Sequence, residues 1–127
     1  MSLPADLLYS KDHEWVRMDG DVATIGITDY AQDSLGDIVY VELPSKGTAF
    51  EQFKPVGVIE SVKAVSEIFT PLGGEVIETN KAINDDPATV NRDPYDGGWL
   101  FKLKLANKSE QANLLSPAAY DELVKNQ

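Results

Sequence analysis

Short runs of β-branched and aromatic residues recur along this chain, and each is cut off by glycine, proline or aspartate within a handful of residues. A run of that length buries one face only if other runs pack against it, so the pattern demands a layered β fold. Glu14-Trp15-Val16-Arg17-Met18, then Asp19-Gly20, then Asp21-Val22-Ala23-Thr24-Ile25-Gly26-Ile27 reads as a hairpin, with Asp19-Gly20 supplying the tight turn. Ile38 to Leu43 is a further strand, stopped by Pro44. Val56 to Val62 and Val65 to Thr70 form two more, and Pro71-Leu72-Gly73-Gly74 turns the chain into Glu75-Val76-Ile77-Glu78-Thr79. Trp99 to Leu105 alternates large apolar residues with mostly polar ones, as a half-buried strand should.

Helices are expected to be short and peripheral. Thr28 caps Asp29 to Leu35, and Gly36 ends that helix in the left-handed conformation. Ser116-Pro117 is a cap and first-turn pair for a terminal helix through about Lys125, with another turn at Asp86-Pro87-Ala88-Thr89-Val90. The expectation is a mainly β protein, a small sandwich or barrel with short peripheral helices and a C-terminal helix. With 127 residues, 43% of them hydrophobic, the chain suits one compact domain over residues 1–127.

The same composition narrows the chemistry. A formal net charge of −10 argues against nucleic acid or an anionic membrane as partner and favours docking onto basic surfaces. Without cysteine there is no disulfide framework, thiolate zinc site or cysteine nucleophile, and the single histidine removes most metal and acid–base constellations. The first residues, Met1 to Leu8, lack a long apolar stretch and the arginines of a transit peptide, so a cytoplasmic protein is expected, or a matrix protein if a transit peptide has been removed; a monomer is the expected state.

No glycine-rich phosphate loop is present. Asp85, Asp86, Asp93 and Asp96 lack the alternating ligands and closing glutamate of an EF-hand and read as a solvated loop. Ser10, Asp12 and His13 lie too close in sequence for a working triad without an unusual loop, and the histidine beside Trp15 reads as packing or a satisfied hydrogen bond. Trp15, Tyr40, Trp99 and Phe101 read as core. An enzyme in its own right is not expected.

Lys63 remains, in Gly57-Val58-Ile59-Glu60-Ser61-Val62-Lys63-Ala64-Val65-Ser66-Glu67-Ile68, between two β runs. An exposed hairpin lysine is ordinarily a solvated charge. Here Glu60 stands three residues before it, Gly74 eleven after it, and Ala64 keeps its far side small. A rigid turn that presents one amine with little bulk around it suits acylation by a large enzyme and a swinging attached arm.

Several long motifs then occur in order: Lys11-Asp12-His13-Glu14-Trp15-Val16-Arg17, Val22 to Gln32, Leu35-Gly36-Asp37-Ile38-Val39, Val41-Glu42-Leu43-Pro44, Glu60-Ser61-Val62-Lys63-Ala64 and Asp93-Pro94-Tyr95. On these the chain resembles the H protein of the glycine cleavage system from Tyr9 to its last helix. The resemblance implies a barrel-sandwich hybrid of the biotinyl and lipoyl carrier type, with lipoic acid in amide linkage on Lys63. It implies a carrier that takes the aminomethyl group from glycine decarboxylase, a pyridoxal-phosphate enzyme, to aminomethyltransferase and tetrahydrofolate. Dihydrolipoyl dehydrogenase then reoxidises it with FAD and NAD. A lipoate-attaching enzyme is a further implied partner, with Glu60 and Gly74 as its recognition residues. The loaded arm is expected to fold into a cleft at Glu14, Asp12 and Glu67, where its cationic amine meets acidic groups. Asp12 and Glu67 depart from the serine and aspartate of some relatives. A biotin carrier resembles the same fold but flanks its lysine with methionines, where Val62 and Ala64 stand here. A lipoyl depot serving 2-oxoacid dehydrogenases, and an interaction protein that has lost the modification, would keep the same fold.

Overall fold

The computed structural model describes residues 3–127. Nine strands follow in chain order: β1 (Leu8–Tyr9), β2 (Glu14–Asp19), β3 (Val22–Ile27), β4 (Ile38–Glu42), β5 (Ala49–Phe50), β6 (Pro55–Ser61), β7 (Val65–Phe69), β8 (Gly74–Thr79) and β9 (Phe101–Leu105). Helix α1 (Asp29–Leu35) links β3 to β4, α2 (Ala82–Asp85) and α3 (Thr89–Arg92) lie between β8 and β9, and a 3₁₀ turn (Lys108–Asn113) precedes α4 (Pro117–Lys125). The strands form two antiparallel sheets, one ordered β1-β2-β3-β9-β8-β5 and one ordered β4-β6-β7. This is the mainly β, two-sheet architecture with short helices and a C-terminal helix that the sequence predicts; the two sheets do not join into a closed ring of hydrogen bonds.

One core lies between the sheets. Val16, Ala23, Ile25, Leu103 and Phe101 come from the larger sheet, and Ile38, Val41, Ile59 and Ile68 from the smaller. Period-two alternation does this sorting: along β9, Phe101 and Leu103 are buried while Lys104 is exposed. Each such side chain removed from water contributes about 1.5–3 kcal/mol. A second cluster of Leu7, Tyr9, Trp15 and Tyr120 seats α4 on the outer end of the larger sheet, where the Tyr9 and Tyr120 rings stack at 4.8 Å between centroids. Ser116 caps α4 by accepting from the Ala119 N–H, as Thr28 caps α1 by accepting from Ala31.

Several details differ from the sequence reading. Asp19 pairs with Val22, so the hairpin turns on Gly20-Asp21, one residue later than predicted. Gly20 has φ +64, which suits the first central position of such a turn. Gly36 has φ 80 with ψ −156, outside the left-handed helical region and in one that only glycine enters freely. Tyr40 is not core: it is 48% exposed beside Val39 at 54%. The ladder between β4 and β6 slips between Ile38 and Tyr40, and this bulge turns two successive side chains outward before Val41 points in again. Trp15 and Phe101 are fully buried, whereas Trp99 is half-buried with the Lys102 ammonium 5.2 Å from its ring centre.

Candidate functional site

Lys63 occupies the turn between β6 and β7. The last ladder pair is Glu60 with Val65, after which Ser61 and Ala64 bracket Val62 and Lys63. The Ser61 N–H donates to the Ala64 carbonyl at 2.8 Å. The Ser61 hydroxyl oxygen accepts from the Lys63 N–H at 3.3 Å and the Ala64 N–H at 3.1 Å, satisfying both donors without water. The Val62 N–H donates to the Asp37 carbonyl at 3.0 Å, which pins the turn to the junction of α1 and β4. The lysine stem passes that junction closely: a methyl group on Gly36 would lie 3.4 Å from Lys63 Cε. Val62 and Val65 on either side are each 70% exposed. Among the described residues no ion pair includes Lys63. A backbone held by four hydrogen bonds thus presents an unpaired primary amine between small or apolar neighbours.

Glu60 stands beside this turn, half-buried between Tyr40 on β4 and Val65 on β7. Gly74 does not. It begins β8, paired with Phe50 and Leu105 in the other sheet, and β7 lies between it and the lysine turn, roughly 16 Å of extended chain. Its φ is not positive either. The need for glycine is close approach, since a Cβ there would lie 2.2 Å from the Lys104 carbonyl oxygen.

The far end of β7 meets Glu14. Glu14 is 2% exposed and opens β2, closing the loop before it: the Ser10 N–H donates to the Glu14 carbonyl and the Glu14 N–H to the Ser10 hydroxyl. Ser10 Oγ donates to Glu14 Oε1 at 2.5 Å, and the Phe69 N–H donates to Glu14 Oε2 at 3.4 Å. The carboxyl therefore reaches the edge strand β7 from the first residue of β2 in the opposite sheet. Burial pushes its pKa up to about 8, and the negative charge of Asp12 adds to the rise. No cation pairs with it among the described residues.

Asp12 is exposed at the rim of this loop. Glu67 is exposed two residues before Phe69 on β7, opposite Val58, and faces a shallow depression of about 460 Å³ that includes Pro44, Phe50 and Val56. No hydrogen bond joins Glu67 to Glu14 among the described residues, although one strand face carries Val65, Glu67 and Phe69 in sequence from the lysine turn to the buried carboxyl.

His13 fills a structural place. Its Nδ1 lies 2.8 Å from the Tyr120 hydroxyl, which is also 2.7 Å from Thr28 Oγ1, and its ring sits against Tyr30. Burial lowers its pKa. The residue adopts φ +70, the unusual loop that its spacing from Ser10 required, but its ring bonds Tyr120, and only its backbone N–H reaches Ser10, donating to the carbonyl at 3.1 Å. The acidic loop also resolves into structure: Asp86 pairs with Arg92 at 2.6 Å, and Asp93 accepts from the Gly97 N–H. A wider open groove of about 1100 Å³ between β4 and β8, floored by Tyr40, Leu43, Ile77 and Trp99, includes neither Lys63 nor Glu14.

Sequence reasoning missed two roles. Ser61 shapes the lysine turn, and its position two residues before Lys63 is the available signal, because serine hydroxyls bond the backbone two residues on. Ser10 holds Glu14, which only the fold of the loop discloses.

The structure is a two-sheet β fold that offers a lysine on a braced hairpin turn. The chain belongs to the Glycine cleavage H-protein family, whose pattern it matches over residues 7–127. It is 49% identical to the glycine cleavage system H protein of Symbiobacterium thermophilum over 98% of this chain and 97% of that one. It is 52% identical to the namesake of Laribacter hongkongensis, over 97% and 98%. The crystal structure of a glycine cleavage system H protein from Mycobacterium marinum superposes with a TM-score of 0.88 at 35% identity, over 97% of this chain and 99% of that one. The family is one of lipoyl carriers, non-catalytic components that act with the other glycine cleavage proteins. No helix among the described residues is long and apolar enough to cross a membrane.

Proposed function

We propose that residues 1–127 form a single lipoyl-carrier domain in which Lys63 bears lipoic acid in amide linkage. Residues 1 and 2 lie outside the described residues. The observation that carries the reading is Lys63 itself, exposed on the β6–β7 turn with its backbone fixed by Ser61 and Asp37. The fit is chemical as well as spatial, since an amide forms on a primary amine that no carboxylate engages. Once attached, the lipoyl group would supply a dithiolane able to carry a one-carbon amine fragment between glycine decarboxylase and aminomethyltransferase, with dihydrolipoyl dehydrogenase as the enzyme that would restore its disulfide. The chain's own part is to hold the attachment point still, keep its surroundings small and offer a sheltered acidic site. In this reading Glu60 guides the lipoate-attaching enzyme and Gly74 supports the hairpin from its base. Glu14, with Asp12 and Glu67 at its approach, receives the amine of the loaded arm. The cytoplasm is the proposed location, or the mitochondrial matrix where a transit peptide has been removed.

The test is exchange of labelled carbon dioxide into glycine by glycine decarboxylase. Chain purified from lipoate-replete cells should support exchange in proportion to its concentration, and Lys63→Arg should not. Exchange sustained by the arginine variant would refute the assignment.

A further inference from the structure

The Glu14 carboxyl is buried yet forms no ion pair among the described residues. The groups that bear on it are Ser10 and Asp12 from the preceding loop, with His13 adjacent in the chain, Phe69 N–H from β7 and, more distantly, the Tyr120 phenol from α4. Of these, Asp12 is acidic, burial lowers the His13 pKa, and burial keeps the Tyr120 phenol neutral. One hydroxyl and one long N–H contact are the only donors to the carboxyl among the described residues. That is poor solvation for an anion and good accommodation for an acid, because an isolated buried carboxylate neutralises itself by binding a proton. Lys11, the one lysine of the loop, is exposed and forms no ion pair with Glu14 among the described residues, so a cationic partner has to come from elsewhere.

We infer that Glu14 is a proton-exchange site, a carboxylic acid while the cleft is empty that releases one proton to solvent when a primary ammonium group moves in. The inference rests on the proposed cleft and deepens it. The step balances as R–COOH plus R′–NH₃⁺ giving R–COO⁻ paired with ⁺H₃N–R′ plus one H⁺. No covalent bond to carbon changes. With the acid's pKa pushed up to about 8, about nine in ten empty sites carry the proton at pH 7. Amine capture therefore competes with protons and strengthens up to about tenfold per pH unit below that value, levelling off above it. An arm without an amine has nothing to exchange and leaves the proton in place. The site is thereby selective for the charged end of a loaded arm, and it withholds a bare buried charge from the empty one.

The experiment is carbon-13 NMR of protein labelled at glutamate side-chain carboxyls, with Glu14→Gln identifying the Glu14 signal and Glu14→Asp standing in if that variant does not fold. In the unmodified chain one glutamate should titrate near pH 8, and methylammonium chloride should lower that midpoint where sodium chloride does not. Loading lipoylated protein with glycine and glycine decarboxylase at pH 7 should move the signal to its ionised position, while the oxidised unloaded protein keeps the acid position. A Glu14 that titrates in the ordinary carboxylate range, or that stays protonated beside the amine, overturns the inference. Lack of any lipoyl group on Lys63 would instead overturn the carrier proposal, and the methylammonium titration would still decide the exchange.

Discussion

The two ends of β7 are built by opposite rules. At one end the lysine turn is exposed, its apolar neighbours face water, and its order comes from hydrogen bonds to Ser61 and Asp37. At the other, Glu14 is buried, bonded to Ser10 and Phe69, and carries its polarity into the protein at an electrostatic cost. In the proposed reading an attachment point has to be reachable by several enzymes, whereas a shelter has to exclude water. One five-residue strand separates the two ends.

The largest expected effect that separates the two ends is on stability. Unfolded, Glu14 ionises near 4.5; folded, near 8, so between those values the folded state holds a proton that the unfolded chain has lost. Its contribution to stability is therefore full below pH 4.5 and is lost as pH rises through 8, a change of roughly 3–5 kcal/mol. Glu14→Gln should remove that slope. Urea unfolding at pH 4.5, 6 and 8.5 gives the comparison, and parallel curves for the two proteins would show that Glu14 is not held neutral.

Gly74→Val comes next. Its Cβ would meet the Lys104 carbonyl, so β8 and β9 must part and about 1–3 kcal/mol should be lost, with slower lipoylation following only from the loosened hairpin base. If unfolding midpoints are unchanged and lipoylation still slows, Gly74 acts by direct recognition.

Smaller again is Ser61→Ala, which strips the acceptor from the Lys63 and Ala64 N–H groups at an exposed turn. About 1 kcal/mol of local order should go, visible as faster amide exchange at residues 62–64 with the Glu14 signals unmoved. Spread of the change to Glu14 would mean that the two ends are coupled. Glu60→Ala should leave unfolding midpoints within about 0.5 kcal/mol, as surface changes usually do, and lower only the rate of lipoylation. An unchanged rate would confine Glu60 to its place between Tyr40 and Val65.

The strands that form the site were legible because alternation and turn residues agree there: β6, the lysine turn, β7 and both capped helices lie within a residue or two of their predicted ends. The two-residue strands β1 and β5 were not, since a pair of residues carries no period. Tyr40 was misread because a bulge breaks the alternation on which its burial was judged. The need for glycine at position 74 was not legible, as close approach between strands leaves no mark on local sequence. Glu14 was legible through resemblance alone. Its burial depends on Ser10, Phe69 and α4 arriving from separate parts of the chain, and a carboxylate in a strand otherwise reads as exposed.

The central claim is that Lys63 alone bears the lipoyl group. Intact mass spectrometry of protein from lipoate-replete cells, with fragmentation to locate the added mass, tests it directly. The account predicts one lipoyl increment, confined to the fragment that holds Lys63 and lost in Lys63→Arg. An increment on any other lysine, or one that persists in the arginine variant, would contradict it.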